Sequence, residues 1–527
     1  MGSRFSADPR SNTVLESRYD VIVCGAGTSG SVVARRLAEN PDVSVLLLEA
    51  GGSDEVASIT EAHQWPLNLG SERDWNFRSE PDSSSNGRVL PLSMGKALGG
   101  GSSINLMVWA RGHRNDWEHY AFESGEPAWG YEAVLDLYRE IEDWHGPQDP
   151  MYRGTGGPIF VQPAPDPHPL AMATVDAARA VGVPTYQSPN GRLMEERCGA
   201  SITDMRLRDG KRQSVFRSYL GPYLDKPNLT VVTEALVTKV LIEGGRAAGV
   251  EITCDGRQHR IAATTEVVLS LGAIHTPKVL MQSGIGDESE LRSVGIDVRR
   301  HLPGVGRNFQ DHFGFDCVWQ FPQNVRGNGQ IGATMFWDTG MADFDGPDLF
   351  ACMGTFPKST PKNAARFKMS DNSWALFGAP TQPKSRGRVR VSGPRPSDPV
   401  RIETNALSHP DDLKLALACI ETLREIGNSA TLRPYAKREV MPGGLAGAAL
   451  EDFLRDAVSS HWHHSGTAKM GRDAMSVVDG HLKVYDIDGL RVADASIMPR
   501  LTSANTMAPC VVIGERAAQF IKADHHL

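Results

Sequence analysis

The feature that most constrains the fold lies near the start of the chain. Tyr19-Asp20-Val21-Ile22-Val23-Cys24 runs into Gly25-Ala26-Gly27-Thr28-Ser29-Gly30 and then into a helical stretch with Val33 and Leu37 one turn apart. An apolar run, a glycine turn and an i, i+4 apolar pair read as strand, tight turn and helix. Gly25 permits the turn, Gly27 lets a pyrophosphate approach the backbone, and Gly30 lets the helix lie close on the strand. The free N–H groups at the helix start then face the phosphates. A second strand, Val43 to Leu48, ends in Glu49 and Ala50, where an acidic side chain is placed to accept hydrogen bonds from a ribose hydroxyl. The pattern predicts a dinucleotide-binding βαβ unit contacting its ligand through Gly25, Gly27, Thr28, Ser29, Gly30, Glu49 and Ala50. It leaves NAD and FAD both open, since each presents a pyrophosphate and an adenosine ribose.

Around this unit the composition narrows the class. A chain of 527 residues has room for about three to four domains or one large composite enzyme, with a sizeable core. A net charge of -8 has the wrong sign for neutralising phosphates, so nucleic acid is not an expected partner. No apolar run approaches the roughly 18 residues that cross a bilayer, so no membrane-integral segment is expected. Met1 to Arg18 has no apolar block for a secretory signal, and a cytoplasmic location is the default expectation. The 7 cysteines are scattered without a Cys-x-x-Cys pair, and an odd total argues against a complete disulfide framework. They read as small buried hydrophobes.

Two further segments carry chemistry. Gly95-Lys96-Ala97-Leu98-Gly99-Gly100-Gly101-Ser102-Ser103-Ile104-Asn105 can lay its backbone directly on a flat or phosphorylated ligand, because three successive glycines hold nothing off. Gly272-Ala273-Ile274-His275-Thr276-Pro277 through Gly284-Ile285-Gly286 follows the strand Val267 to Leu269. It predicts a short helix with Thr276 as N-cap, Pro277 at its first position and Gly284 beyond its end. A third segment comprises Trp462-His463-His464-Ser465-Gly466-Thr467, then Gly489 to Ser496, then Ala504-Asn505-Thr506-Met507. In this order and along essentially the whole chain, these segments resemble the glucose-methanol-choline (GMC) oxidoreductases, flavoenzymes that oxidise alcohols with FAD.

The resemblance implies an α/β fold, α+β overall. A Rossmann-like FAD-binding domain (residues 1–155, 195–312 and 455–527) is interrupted by a substrate-binding domain of antiparallel sheet and helices (156–194 and 313–454), which lowers the domain count to two. It places Gly95, Leu98, Gly99, Gly100 and Ser102 against the cofactor, the backbone of Asn105, Leu106, Met107 and Val108 along the flavin, and Val237 at the adenine. Gly272, Trp462, Asp494, Ala495, Asn505, Thr506 and Met507 complete the cofactor set. Ile104 stands where some family members carry a histidine linked to FAD, so the cofactor is expected to be non-covalent.

Alcohol oxidation needs a base, and an imidazole, ordinarily titrating near about 6.5, has a large neutral fraction at neutral pH. In the family pattern His-x-x-Gly-Thr the base is His463, with His461 or His464 as the alternatives. An extended run would place His461 and His463 on one face, with Trp462 and His464 turned away, making His461 a second imidazole in the pocket. Asn505 matches the partner of the base; its amide can donate to a developing alkoxide, and Asn is also a favoured N-cap for a final helix over Thr506 to Ala523. Asp311-His312 resembles a strap between domains and no acid–base pair. No metal is expected, because His461, His463 and His464 lack a complementary ligand set.

The substrate is expected to be a primary alcohol on an aromatic or heteroaromatic ring, pyridoxine-like or benzyl- or furfuryl-like. The run His461-Trp462-His463 resembles that of small bacterial family members acting on such a ring, although Asn505 departs from their pattern. Trp462, Phe350, Phe356, Trp374 and Phe377 are candidates for an aromatic wall. Choline-like, aliphatic and sugar alcohols, and a hydroxynitrile-lyase activity on the same fold, stay open, as do oxygen or another electron acceptor and a monomer or homodimer.

Overall fold

A computed structural model describes residues 15–325, 327 and 329–527. Most of the Met1 to Arg18 stretch considered above as a leader, up to residue 14, lies outside the described residues.

Two sheets organise the chain. The first runs Leu229–Val232, Val45–Leu48, Arg18–Cys24, Arg257–Leu269, Arg246–Cys254 and Leu236–Glu243, with Leu490–Val492 also paired to Arg257–Leu269. Arg18–Cys24 is parallel to both its neighbours, and the Leu229 and Leu490 strands add parallel edges. Val21, Ile22, Val23, Val45, Leu46, Leu47, Val267 and Val268 are 0% exposed, the near-continuous apolar run that a parallel sheet covered on both faces demands. The register aligns the ends: Cys24 lies opposite Leu48 and Leu269, Leu48 opposite Val232, and Leu269 opposite Val492. Five strands therefore stop along one edge, and the residues that follow them floor a crevice of the kind where open α/β sheets bind ligands.

The helix Thr28–Ala38 leaves that edge through Gly25, whose φ of +99° suits glycine. A Cβ on Gly30 would lie 1.9 Å from the Gly25 carbonyl oxygen, so helix and turn interlock as the glycine spacing predicts. The final helix, Met507–His525, packs against this first one. A Cβ on its Gly514 would fall 2.7 Å from the Ser29 carbonyl oxygen, and Glu515 takes Arg36 at 2.8 Å and the Tyr219 hydroxyl at 2.8 Å.

The second sheet is antiparallel: Arg438–Met441, Phe313–Gln320, Ser373–Pro380, Leu349–Gly354, Ile331–Trp337 and Gly199–Ile202. Helix Pro410–Gly427 covers one face; its Cys419 approaches the backbone where Gly378 has no side chain. Gly199–Ile202, assigned to the cofactor domain by a division at residue 195, pairs instead with Ile331–Trp337. Periodicity in a four-residue strand does not reveal which sheet receives it. Ser459–Ser460 likewise joins the start of Phe313–Gln320 and carries the chain from the second sheet back to the first.

One helix begins earlier than its sequence suggests. It spans Gly272–Gln282, with Pro277 inside it. Proline has no N–H to offer the carbonyl four residues back. That carbonyl, on Ala273, instead accepts the Thr467 hydroxyl at 2.6 Å, while Thr276 is committed to Leu271 N and Asp494.

Candidate active site

A single continuous cavity runs from the ends of the parallel strands to the histidine run. Gly25, Gly27, Thr28, Ser29, Glu49, Ala50, Gly95, Gly100, Ser102, Asn105, Leu106, Val108, Val237, Gly272, His461, Trp462, His463, Asp494, Ala495, Asn505, Thr506 and Met507 all line it. Gly30 does not, in keeping with its packing role. Leu98, Gly99 and Met107, expected at the cofactor, are also outside the lining. Leu98 is core, Gly99 makes room for the Ser103 hydroxyl, and Met107, at φ +61°, turns its side chain to a separate cluster with Met205 and Leu207.

The floor suits an anionic dinucleotide. The first helix has no side-chain cap, so its N-terminal dipole end faces the crevice without a built-in anion. Glu49 accepts the Ala26 N–H at 3.0 Å and the Gly51 N–H at 2.8 Å, one on each oxygen. A second lone pair on each oxygen is left for a ligand hydroxyl. Burial raises its pKa to about 7. A Cβ on Gly101 would meet nothing within 4 Å, and one on Gly27 would have 4.0 Å of clearance. Asp494 accepts the Gly272 and Ser496 N–H groups, which ties two distant segments together at the floor. These residues fit FAD.

At the other end, the hydrogen bonds assign the protons. The Thr381 carbonyl can only accept, so His312 donates to it from Nε2 at 3.0 Å and its Nδ1 carries a lone pair. That lone pair faces His463 Nδ1 at 2.7 Å, so His463 donates there, and its own lone pair is on Nε2. Asn505 Nδ2 donates to this Nε2 at 3.1 Å. Asp311 holds the His463 backbone N–H at 2.8 Å and takes the Ser460 hydroxyl. The pair Asp311-His312 is thus a strap, bridging to Gly387 and Ser465 through Phe309 and Gln310, but it is also bonded directly to the candidate base, contrary to the sequence reading. The partners are separated by 151 residues, and no local pattern links them.

Asn505 does not cap the last helix. That helix starts at Met507 without a side-chain cap, and the Asn505 amide is turned to His463. The alternation expected for residues 461–464 fails because Trp462 adopts φ +62°. His461 and His463 do meet, with ring centroids 4.8 Å apart, yet Trp462 and His464 line the cavity too. Burial, reinforced by neighbouring imidazoles and the Lys358 ammonium, pushes the His463 pKa well below the ordinary histidine range and keeps the ring neutral.

The aromatic wall differs from expectation. Trp462 lines the cavity; Phe377 stacks behind His461 at 4.2 Å with Phe350 beside it; Phe356 backs Trp65; and Trp374 is core, stacked on Trp319 at 4.6 Å. Trp65, Leu69 and Trp75 line the cavity without any local signal to distinguish them from core residues, and so does His275, which the sequence showed only as part of the Gly272 segment. Among the described residues no cluster of three or more His, Cys, Asp or Glu has metal-site geometry. No helix among them is long and apolar enough to cross a membrane.

A glycine cradle on a parallel sheet, joined by one cavity to a neutral imidazole and an amide, fits a flavin-dependent oxidoreductase of the alcohol-oxidising type. The chain belongs to the GMC oxidoreductase family: models of that description match residues 19–314 and 383–514. It is 34% identical over 533 residues to the oxygen-dependent choline dehydrogenase of Brucella anthropi, covering 95% of each chain. It is 34% identical over 566 residues to human mitochondrial choline dehydrogenase, covering 99% of this chain and 92% of that one. Among solved structures, pyridoxine 4-oxidase from Mesorbium loti superposes with a TM-score of 0.88 at 30% identity, covering 97% of this chain and 99% of that one. Formate oxidase shares the fold, at a TM-score of 0.87 and 24% identity over 98% of this chain and all of that one. The enzyme is an FAD-dependent oxidoreductase acting on CH–OH donors.

Proposed function

We propose that the enzyme oxidises a primary alcohol on an aromatic or heteroaromatic ring to the aldehyde, with FAD held non-covalently. The observation that carries this reading is the charge of the histidine end. The acids lining the cavity, Glu49 and Asp494, both sit at the cofactor floor with their oxygens engaged by backbone N–H groups. Around His461 and His463 the lining has no carboxylate to meet a quaternary ammonium. Instead, the buried Lys358 Nζ stands 4.5 Å over the Trp462 ring and 4.9 Å over Phe377; no acceptor among the described residues bonds it, and the Asp311 and Asp316 carboxylates that act on its charge lie outside the lining. A cation there disfavours choline and tolerates a neutral or electron-rich ring.

Bound FAD supplies the hydride acceptor. The protein supplies the rest: His463 Nε2 takes the hydroxyl proton, while its Nδ1–H goes on donating to His312 Nδ1. Asn505 Nδ2, 3.1 Å from the base, donates to the alkoxide as charge develops. His461 presents a buried imidazole whose Nδ1 has no protein partner, available to a ring substituent. Ile104 lines the cavity and offers no atom for a covalent link.

Choline is the second reading, favoured by the relatives at 34% identity. Anaerobic mixing with pyridoxine, benzyl alcohol, furfuryl alcohol, choline and glucose, followed at the flavin absorption band, tests both. Bleaching by a ring alcohol at lower concentration than by choline supports the proposal; bleaching by choline alone rejects it. A cyanohydrin cleaved without bleaching would indicate lyase chemistry. Acid precipitation should leave FAD in the supernatant.

A further inference from the structure

Two arginines buried beneath the glycine-rich loop lack an acidic partner among the described residues. Arg206 is 0% and Arg212 1% exposed. The other two arginines as deeply buried are paired, Arg111 with Glu142 at 2.6 Å and Arg491 with Glu266 at 3.0 Å. Arg206 and Arg212 bind only neutral oxygens, and the charge that acts on Arg212 is the like charge of Arg206. Arg206 Nε and Arg212 Nη2 have no partner at all. Burial draws both pKa values down to about 9, which leaves both guanidinium groups charged at neutral pH. Two unpaired charges in a dry interior are strongly unfavourable unless something outside the chain compensates them.

Their shared target is Asn105. Its Oδ1 accepts from Met107 N at 3.0 Å, Arg212 Nη1 at 2.9 Å and Arg206 Nη2 at 3.2 Å. Three donors converging on one atom identify it as the oxygen, so the free end of the amide is Nδ2, in a residue that lines the cavity. Arg212 also holds the carbonyl of Ser102, another lining residue, at 3.2 Å.

We propose that Arg206 and Arg212 are positioning residues that act through Asn105 to place a fixed positive potential on the cavity and favour the reduced cofactor. Bound FAD would accept the alcohol's hydride with its electron pair, and with the hydroxyl proton held on His463 the reduced isoalloxazine would carry one more negative charge. The arginine pair stabilises that charge, and the charge offsets the burial of the pair. The proposal rests on the reading that the flavin lies along Asn105 to Val108.

The test is the midpoint potential of the FAD-loaded enzyme, read against a reference dye during anaerobic chemical reduction, together with the Kd for sulfite, which forms an anionic adduct with oxidised flavin. No alcohol enters, so an error in the substrate class leaves the outcome untouched. Arg212→Met should move the potential to more negative values and raise the sulfite Kd at least tenfold. Arg212→Lys, which keeps the charge, should recover most of both. Asn105→Asp, which sets a carboxylate between the two cations, should shift both in the same direction as Arg212→Met. A loaded Arg212→Met or Asn105→Asp enzyme with wild-type potential and sulfite affinity overturns the proposal. If neither variant folds, or both fold without FAD, the pair serves the fold alone and the proposal likewise fails.

Discussion

In the proposed mechanism a histidine becomes a base through the atoms around it. The Thr381 carbonyl fixes the proton of His312, His312 fixes that of His463, and the lone pair emerges on the nitrogen that faces Asn505. Replacing His463 by Ala should slow anaerobic flavin reduction by about 10²–10⁴-fold, the usual contribution of a general base, while FAD content is unchanged. Because burial lowers the His463 pKa, the ring stays neutral as pH falls through the ordinary histidine range. The acid limb of kcat/KM should therefore lie below pH ~6.5. Lys358→Met removes the ammonium that helps to hold the value down, so its acid limb should move to higher pH; a limb that stays in place would show that Lys358 does not act on the base. His463 and Asn505 were legible in the sequence because each sits in a fixed local motif. His312 was legible only as a strap, since its chemistry comes from a contact made across the fold.

At the scale of elements, the cradle depends on backbone approach. A Cβ at Gly30 would collide with the Gly25 carbonyl at 1.9 Å, inside any permissible contact. Gly30→Ala should purify with little or no FAD, visible as lost absorbance, with the second sheet intact by circular dichroism. At Gly514 the collision is milder, 2.7 Å from the Ser29 carbonyl and 2.8 Å from Val32 Cβ. Overpacking of this kind costs about 1–3 kcal/mol, so Gly514→Ala should unfold at lower denaturant while still binding FAD. The sequence displayed the strand, turn and helix of the cradle because glycines and apolar periodicity are local signals. It misplaced the start of the Gly272–Gln282 helix because proline ordinarily marks a first turn. Here a threonine hydroxyl from residue 467 occupies the carbonyl that the proline leaves free.

Across the whole molecule, the cavity gathers residues from Gly25 to Cys510, so a cofactor held there would bind only when distant segments have met. Removing FAD should lower the Tm in scanning calorimetry and adding it should restore it; at a free concentration 100 times Kd the gain is about 2.7 kcal/mol. The two-sheet plan was legible from the family resemblance, but the seams were not, because Gly199–Ile202 and Ser459–Ser460 are too short to declare their partners. The helix pair at the cradle also carries a consequence for biosynthesis. Ser29 Oγ donates to the Cys510 carbonyl across 481 residues, and Gly514 is moulded to the same turn of the first helix. At roughly 5–20 residues per second, a ribosome takes on the order of 25–100 s to cover that interval. Throughout it, the βαβ unit made first waits with the apolar flank of its helix uncovered. The expected consequence is that the first helix is fully covered, and the cavity complete for FAD, only after the last helix has been made.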